Sequence, residues 1–263
     1  MTGATPILEL ERVSKRFVGV DALVDISLRV YGGEVLCLLG DNGAGKSTLI
    51  KIMSGVHRPS GGQMSVSGRT VRFTNPHDAN ALGIATVHQT GGTVAMMSVA
   101  RNFFLGAEPT RGRWPLRRLD KKAAGTIAIE QLKALGIARI TDGTRLVGSM
   151  SGGERQALAI ARAMHFGARL LILDEPTASL GVKEAAHVLR MIMQARSRGV
   201  GVVLVTHNPS HALAVGDHFG VLIRGAIADD FRKGEKSRSD LVDLMAGGEE
   251  MEALEAELAE LTT

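Results

Sequence analysis

The chain has 263 residues, 44% hydrophobic, 22% charged and 3% aromatic, which suits one large or two small domains and excludes disorder as its main state. No run of 18 apolar residues occurs, so no bilayer-spanning helix is expected; a lone Cys37 and a start without a basic-then-apolar segment point to a cytosolic protein. The net charge of +4 hides an asymmetry: residues 249–263 hold six glutamates and no Lys or Arg, leaving residues 1–248 with 31 basic and 21 acidic side chains, a body that attracts polyanions.

In chain order, the alternation over residues 7–13 and 26–30 predicts two half-buried antiparallel strands, turned at Gly32-Gly33. Residues 35–39, Val-Leu-Cys-Leu-Leu, are uninterrupted apolar, as a parallel strand covered on both faces requires, and run through a glycine-rich turn into a helical stretch at 47–54. Residues 64–67 extend the antiparallel sheet and 83–87 give another short strand. From 98 to 135 the pattern is helical, with Asp120 as N-cap of a segment ending at Gly136, so a helical subdomain is expected over roughly 90–150. Strands at 170–173 and 202–205 then alternate with helices at 152–164 and 182–198, the βα repeat of a parallel sheet. Residues 219–227 are strand-like and helix closes the chain, where Met251, Leu254, Leu258 and Leu261 recur at helical spacing with Glu on the other faces.

Three segments carry chemistry. Gly40-Asp41-Asn42-Gly43-Ala44-Gly45-Lys46-Ser47 has two glycines, Lys and Ser at phosphate-loop offsets, between a buried strand and a helix that Thr48 continues. Glycines let backbone N–H groups turn inward around an anion, Lys46 meets the β/γ phosphates of a nucleotide and the Ser47 hydroxyl ligates Mg²⁺. At the end of the apolar run 170–173, Asp174 and Glu175 place two carboxylates where burial penalises them unless a cation or a proton transfer employs them. Asp174 is the metal-side carboxylate and Glu175 the group to orient or deprotonate an attacking water; a bare acidic pair opening a loop before Pro176 is the structural alternative. Ser151-Gly152-Gly153-Glu154 opens a helix with a second set of free N–H groups, which is an N-cap at least and an anion cradle if two copies face each other.

The order of these pieces resembles the nucleotide-binding subunits of ATP-binding cassette transporters over nearly the whole chain. The family's phosphate loop, glutamine, Ser-Gly-Gly signature, Asp-Glu pair and histidine look like the loop at Lys46, Gln89, residues 150–156, Asp174-Glu175 and His207, all in order. The resemblance implies an α/β fold: a P-loop NTPase core with a parallel sheet, an antiparallel β-subdomain and an α-helical subdomain. It divides the chain into an ATPase domain at 1–248, with a RecA-like core and β-subdomain at 1–90 and 151–235 and the helical subdomain at 91–150, followed by an acidic amphipathic helix at 249–263. It further implies ATP and Mg²⁺ as cofactors, and a head-to-tail homodimer with two ATP molecules between phosphate loop and opposed signature. Gln89 would sense the metal, His207 hold the γ-phosphate, and Phe17 stack on adenine. The implied partners are integral membrane permease subunits and, through the complex, a periplasmic or extracellular solute-binding protein. The implied location is the inner face of the cell membrane, on its cytoplasmic side.

Segments 41–45, 98–106 and 178–184 look like those of bacterial monosaccharide importers of the ribose, xylose and fructose kind, and the single cassette most resembles the fructose-import type. Two departures stand out: Gly181 replaces an aspartate usual in that loop, and Glu154 replaces the signature's glutamine. The cluster Arg111, Arg113, Arg117, Arg118, Lys121 and Lys122 around Trp114 allows a solvated face, a headgroup contact or a nucleic-acid patch. A soluble cassette ATPase acting on nucleic acid or ribosomes, or an importer of another solute, are the alternatives; scarce aromatics argue against base stacking, and no nucleic-acid partner is expected.

Overall fold

The computed structural model describes residues 4–89, 92–113 and 116–245. Strands β1 (Leu8–Phe17) and β2 (Val20–Val30) form an antiparallel hairpin whose link is Val18-Gly19, with Gly19 at φ +77°. This corrects the expected turn at Gly32-Gly33, which instead leads from β2 into β3 (Val35–Leu39). A glycine-rich loop then enters α1 (Lys46–Met53). Strands β4 (Gly61–Val66) and β5 (Arg69–Val71) complete a four-stranded sheet in the order β2-β1-β4-β5. Helix α2 (Pro76–Ala81) begins at an Asn-Pro step: Asn75 Oδ1 accepts from His77 N and Asp78 N, and Pro76 needs no hydrogen-bond partner for a missing N–H.

Strand β6 (Ile84–Val87) precedes the helical layer of α3 (Val99–Phe103), α4 (Lys121–Ala134) and α5 (Gly152–His165). The helical reading of 98–135 is corrected in its middle. Between α3 and α4 the chain forms a small hairpin, β7 (Thr110–Arg111) against β8 (Arg118–Leu119), because Gly106 and Gly112 at φ +83° and +92° and Pro109 cannot continue a helix. Asp120 caps α4 through Ala123 N.

Then follow β9 (Leu170–Asp174), α6 (Val182–Ser197), β10 (Gly201–Val205), α7 (Pro209–Val215), β11 (His218–Ile223), β12 (Ala226–Arg232) and α8 (Arg238–Met245). The strand-like stretch at 219–227 is in fact two strands turned at Arg224-Gly225, both at positive φ. The second sheet runs β12-β11-β3-β10-β9-β6, parallel except at β12. Its inner strands β11, β3, β10 and β9 are buried on both faces, while the edge strand β12 is largely exposed. In β3, Val35, Cys37 and Leu39 face the core shared with the helical layer, while Leu36 and Leu38 face α1 and the antiparallel sheet; period-two alternation between two apolar environments is why the segment has no polar residue. Cys37 is buried and its thiol pKa is pushed up by that burial, so it behaves as a small apolar side chain. No helix among the described residues is long and apolar enough to cross a membrane. The helix expected at 249–263 lies outside the described residues.

Candidate nucleotide site

The loop after β3 passes tightly between neighbours. Gly40, Gly43 and Gly45 take φ +140°, +85° and +106°. A Cβ on Gly40 would lie 2.2 Å from Leu222 O, and one on Gly45 2.8 Å from Ala22 O, so backbone approach as well as φ demands glycine. Ala44 is buried, while Asp41, Asn42, Gly43 and Ser47 are exposed around the mouth and Thr48 is half-buried. Gly45 is the N-cap of α1 and has no side chain to offer, so the first N–H groups of the helix remain for an anion. Lys46 Nζ donates to Gly40 O at 2.6 Å and Asp41 O at 2.8 Å, which fixes the ammonium under the loop. Burial lowers its pKa, and the charges of Glu175, Asp41 and Asp174 oppose that shift.

Strand β9 delivers the acids. Burial raises the Asp174 pKa, as does Glu175 beside it, while His88 and Lys46 act the other way. Glu175 sits at φ +49°, a conformation that costs about 1–2 kcal/mol for a non-glycine residue and turns its side chain out of the strand direction. Its N–H donates to Val205 O at the end of β10. The carboxylate Oε1 accepts from His207 N at 2.9 Å and from His207 Nδ1 at 2.8 Å. A carboxylate that only accepts requires the proton on Nδ1. Glu175 and His207, 32 residues apart, are therefore one unit.

The remaining expected residues fall elsewhere. Ser151 caps α5 in a capping box: Ser151 Oγ accepts from Glu154 N, and Glu154 Oε2 accepts from Ser151 N at 2.9 Å. Arg145, which sequence reasoning passed over, binds Ser149 O at 2.8 Å and Glu154 Oε2 at 3.4 Å. Gly152 lines a groove of about 470 Å³ with Gln89, Thr93, Arg155, Ala178 and Ser179, and none of residues 40–48 lines it. Gly153 packs its Cα side on Glu184. Phe17 ends β1 with 41% of its surface exposed, its ring edge-on to His57 and 5.0 Å from Lys15 Nζ; it is not a core residue. Sequence reasoning also gave His88 no role, yet its Nδ1 lies 3.9 Å from Asp174 Oδ2. The signal was its place after β6, but only the pairing Val87↔Leu173 sets it beside the acid.

The family model described as ABC transporter matches residues 23–178. The chain is 39% identical to the fructose import ATP-binding protein FrcA of Rhizobium meliloti, over 93% of this chain and 95% of that protein. It is 41% identical to the xylose/arabinose import ATP-binding protein XylG of Sulfolobus acidocaldarius, over 91% and 93%. The chain belongs to the ABC transporter family. Among solved structures, the ADP conformation of MJ1267, an ATP-binding cassette of an ABC transporter, superposes with a TM-score of 0.77 at 24% identity, covering 90% of this chain and 95% of that one, which shows the shared fold.

An ABC cassette fold binds ATP, and the donor set at β9 suits Mg²⁺. Among the described residues no cluster of three His, Cys, Asp or Glu side chains gathers to hold a metal unaided. Mg²⁺ is ordinarily held by one or two carboxylates with hydroxyls, waters and substrate phosphates, and the Asp174 carboxylate ending β9 and the exposed Ser47 hydroxyl are donors of that kind.

Proposed function

We propose that this cassette is the ATP-hydrolysing subunit of a sugar importer, working as a head-to-tail homodimer with two sandwiched ATP molecules. The observation that carries the chemistry is the double hold of His207 on Glu175 Oε1. It fixes one oxygen of the carboxylate and leaves the second to accept the proton of an attacking water. Lys46 and the loop N–H groups bind the β/γ phosphates, His207 adds a contact to the γ-phosphate, and Ser47, Asp174 and Gln89 are the residues that would hold Mg²⁺, which would supply charge neutralisation at the transferred phosphoryl. Phe17 stacks on adenine. Since the groove around Gly152 includes none of residues 40–48, the cradle formed by Ser151, Gly152, Gly153 and Glu154 serves the nucleotide of the other copy.

The sugar assignment rests on relatives named for fructose and xylose/arabinose import. Membrane permease subunits, with a periplasmic or extracellular solute-binding protein behind them, are the partners we assign, which places the cassette against the inner face of the membrane. A second groove, about 570 Å³, lined by Thr86, Gly92, Leu105, Gly106, Arg162 and Phe166, adjoins the Gln89 groove through Val87, Gly92 and Ala159 and is the surface on which we seat the permease.

The test is a pair of variants. Lys46→Ala is expected to lose ATP binding. Glu175→Gln is expected to bind ATP, to slow turnover by about 100-fold or more, and to elute as a dimer only with ATP. Turnover by Glu175→Gln at the parental rate, or a strictly monomeric ATP-loaded form, overturns the reading.

A further inference from the structure

We propose that the β7–β8 hairpin is a contact site for an anionic bilayer surface. From Leu105 to Arg118 no described residue is buried, so this excursion adds nothing to the core. A ribbon of two residues per strand is marginal in water without a surface to lie on. Its register sets Arg111 directly opposite Arg118, two like charges on one face of the ribbon, which is unfavourable unless an anion comes between them. None of Arg111, Arg113, Arg117 and Arg118 has a carboxylate partner among the described residues. The acids of the adjoining cleft, Glu108 and Asp142, are engaged locally with Gly106 N and with Thr144.

The apolar part of the segment fits the same ligand. Leu116 is 76% exposed, and the sequence Arg-Gly-Arg-Trp-Pro-Leu-Arg-Arg at 111–118 holds the chain's one tryptophan and no acid. Trp and Leu flanked by arginines are the composition of segments that sit at the headgroup level of anionic membranes. Position agrees. Leu105, Gly106 and Ala107 line the groove assigned to the permease, and Thr110 follows Ala107 by three residues, at most about 11 Å of chain. A permease seated there brings its bilayer toward the hairpin. That direction alone rests on the permease reading; the charge, exposure and register do not. A nucleic-acid strand would take the same charges but would want several stacking aromatics, and the segment has one.

The full-length protein carries its own probe, because Trp114 is its only tryptophan. Its emission is expected to shift to the blue with vesicles containing phosphatidylglycerol, and not with pure phosphatidylcholine, and to be quenched by brominated acyl chains. Replacing Arg111, Arg113, Arg117 and Arg118 by Ala is expected to weaken vesicle binding about tenfold or more. Replacing the exposed Arg58, Arg69, Arg72 and Arg139 by Ala removes the same charge elsewhere and is expected to do much less. Basal ATP hydrolysis by the hairpin variant stays at the parental rate, so the ATPase reading stands or falls separately. No spectral shift, equal loss in both variants, or a Trp114 response to single-stranded RNA in place of vesicles overturns the proposal.

Discussion

His207 holds Glu175 Oε1 twice, once through its backbone N–H and once through its ring Nδ1. His207→Ala removes the ring Nδ1 bond but keeps the backbone N–H bond to Oε1, so it is expected to loosen the carboxylate and lower kcat by about 10-fold or more, and, since the same ring is assigned to the γ-phosphate, to raise KM for ATP as well; steady-state kinetics on the two parameters separates the effects. Asp174 gives a prediction of opposite sign for stability. Its pKa is raised in the fold, chiefly by burial, so the folded state binds the proton more readily than the unfolded chain does. Stability from this group therefore falls as pH rises from its ordinary carboxylate value through the raised one, and the penalty persists at neutral pH. Asp174→Asn is expected to melt higher than the parent at pH 7, with the gap narrowing toward pH 4, and to lose Mg²⁺-dependent hydrolysis. A lower melting temperature at pH 7 counts against that account. Asp174 and Glu175 were legible as a functional pair because two acids end an apolar strand. Their partners His88 and His207 were not derivable from spacing, since parallel pairing and crossover connections bring them in.

At the scale of elements, Gly181 is the N-cap of α6 in extended conformation, with no side-chain cap and open space where a Cβ would go. An aspartate there meets free N–H groups and the positive end of a 16-residue helix. Gly181→Asp is expected to stabilise the fold by about 0.5 kcal/mol and to raise the Hill coefficient for ATP; an unchanged coefficient removes Gly181 from communication between the copies. Gly40 behaves oppositely. With φ +140° and Leu222 O at 2.2 Å from a built Cβ, Gly40→Ala forces β3 and β11 apart and is expected to destabilise by about 2 kcal/mol or more and to abolish ATP binding. Caps were the most legible local feature: Asp120 was read directly, and the Asn75-Pro76 and Asn208-Pro209 steps carried the same signal for α2 and α7, which were not read as helices. The β7–β8 hairpin escaped notice because its strands are two residues long and expose every described side chain but the half-exposed Leu119, leaving no periodicity to detect.

For the molecule as a whole, ligand that binds only the folded state stabilises it by mass action. ATP at 100 times its dissociation constant adds about 2.7 kcal/mol, or roughly 5–10 °C in melting temperature for a domain of this size; calorimetry should find this in Glu175→Gln and not in Lys46→Ala. Two cores meet across the six-stranded sheet, one shared with the helical layer and one with the antiparallel sheet. The sequence alone determined the buried parallel strands, the phosphate loop, the α5 cap and the acidic pair, since each is a local matter of side-chain period, backbone freedom or hydrogen-bond need within a few residues. Only the tertiary structure decided the order β11-β3-β10-β9-β6, and with it the pairing of Glu175 with His207 and of Asp174 with His88. Strand order follows from which apolar faces bury best together, a sum over the whole chain that no short window contains.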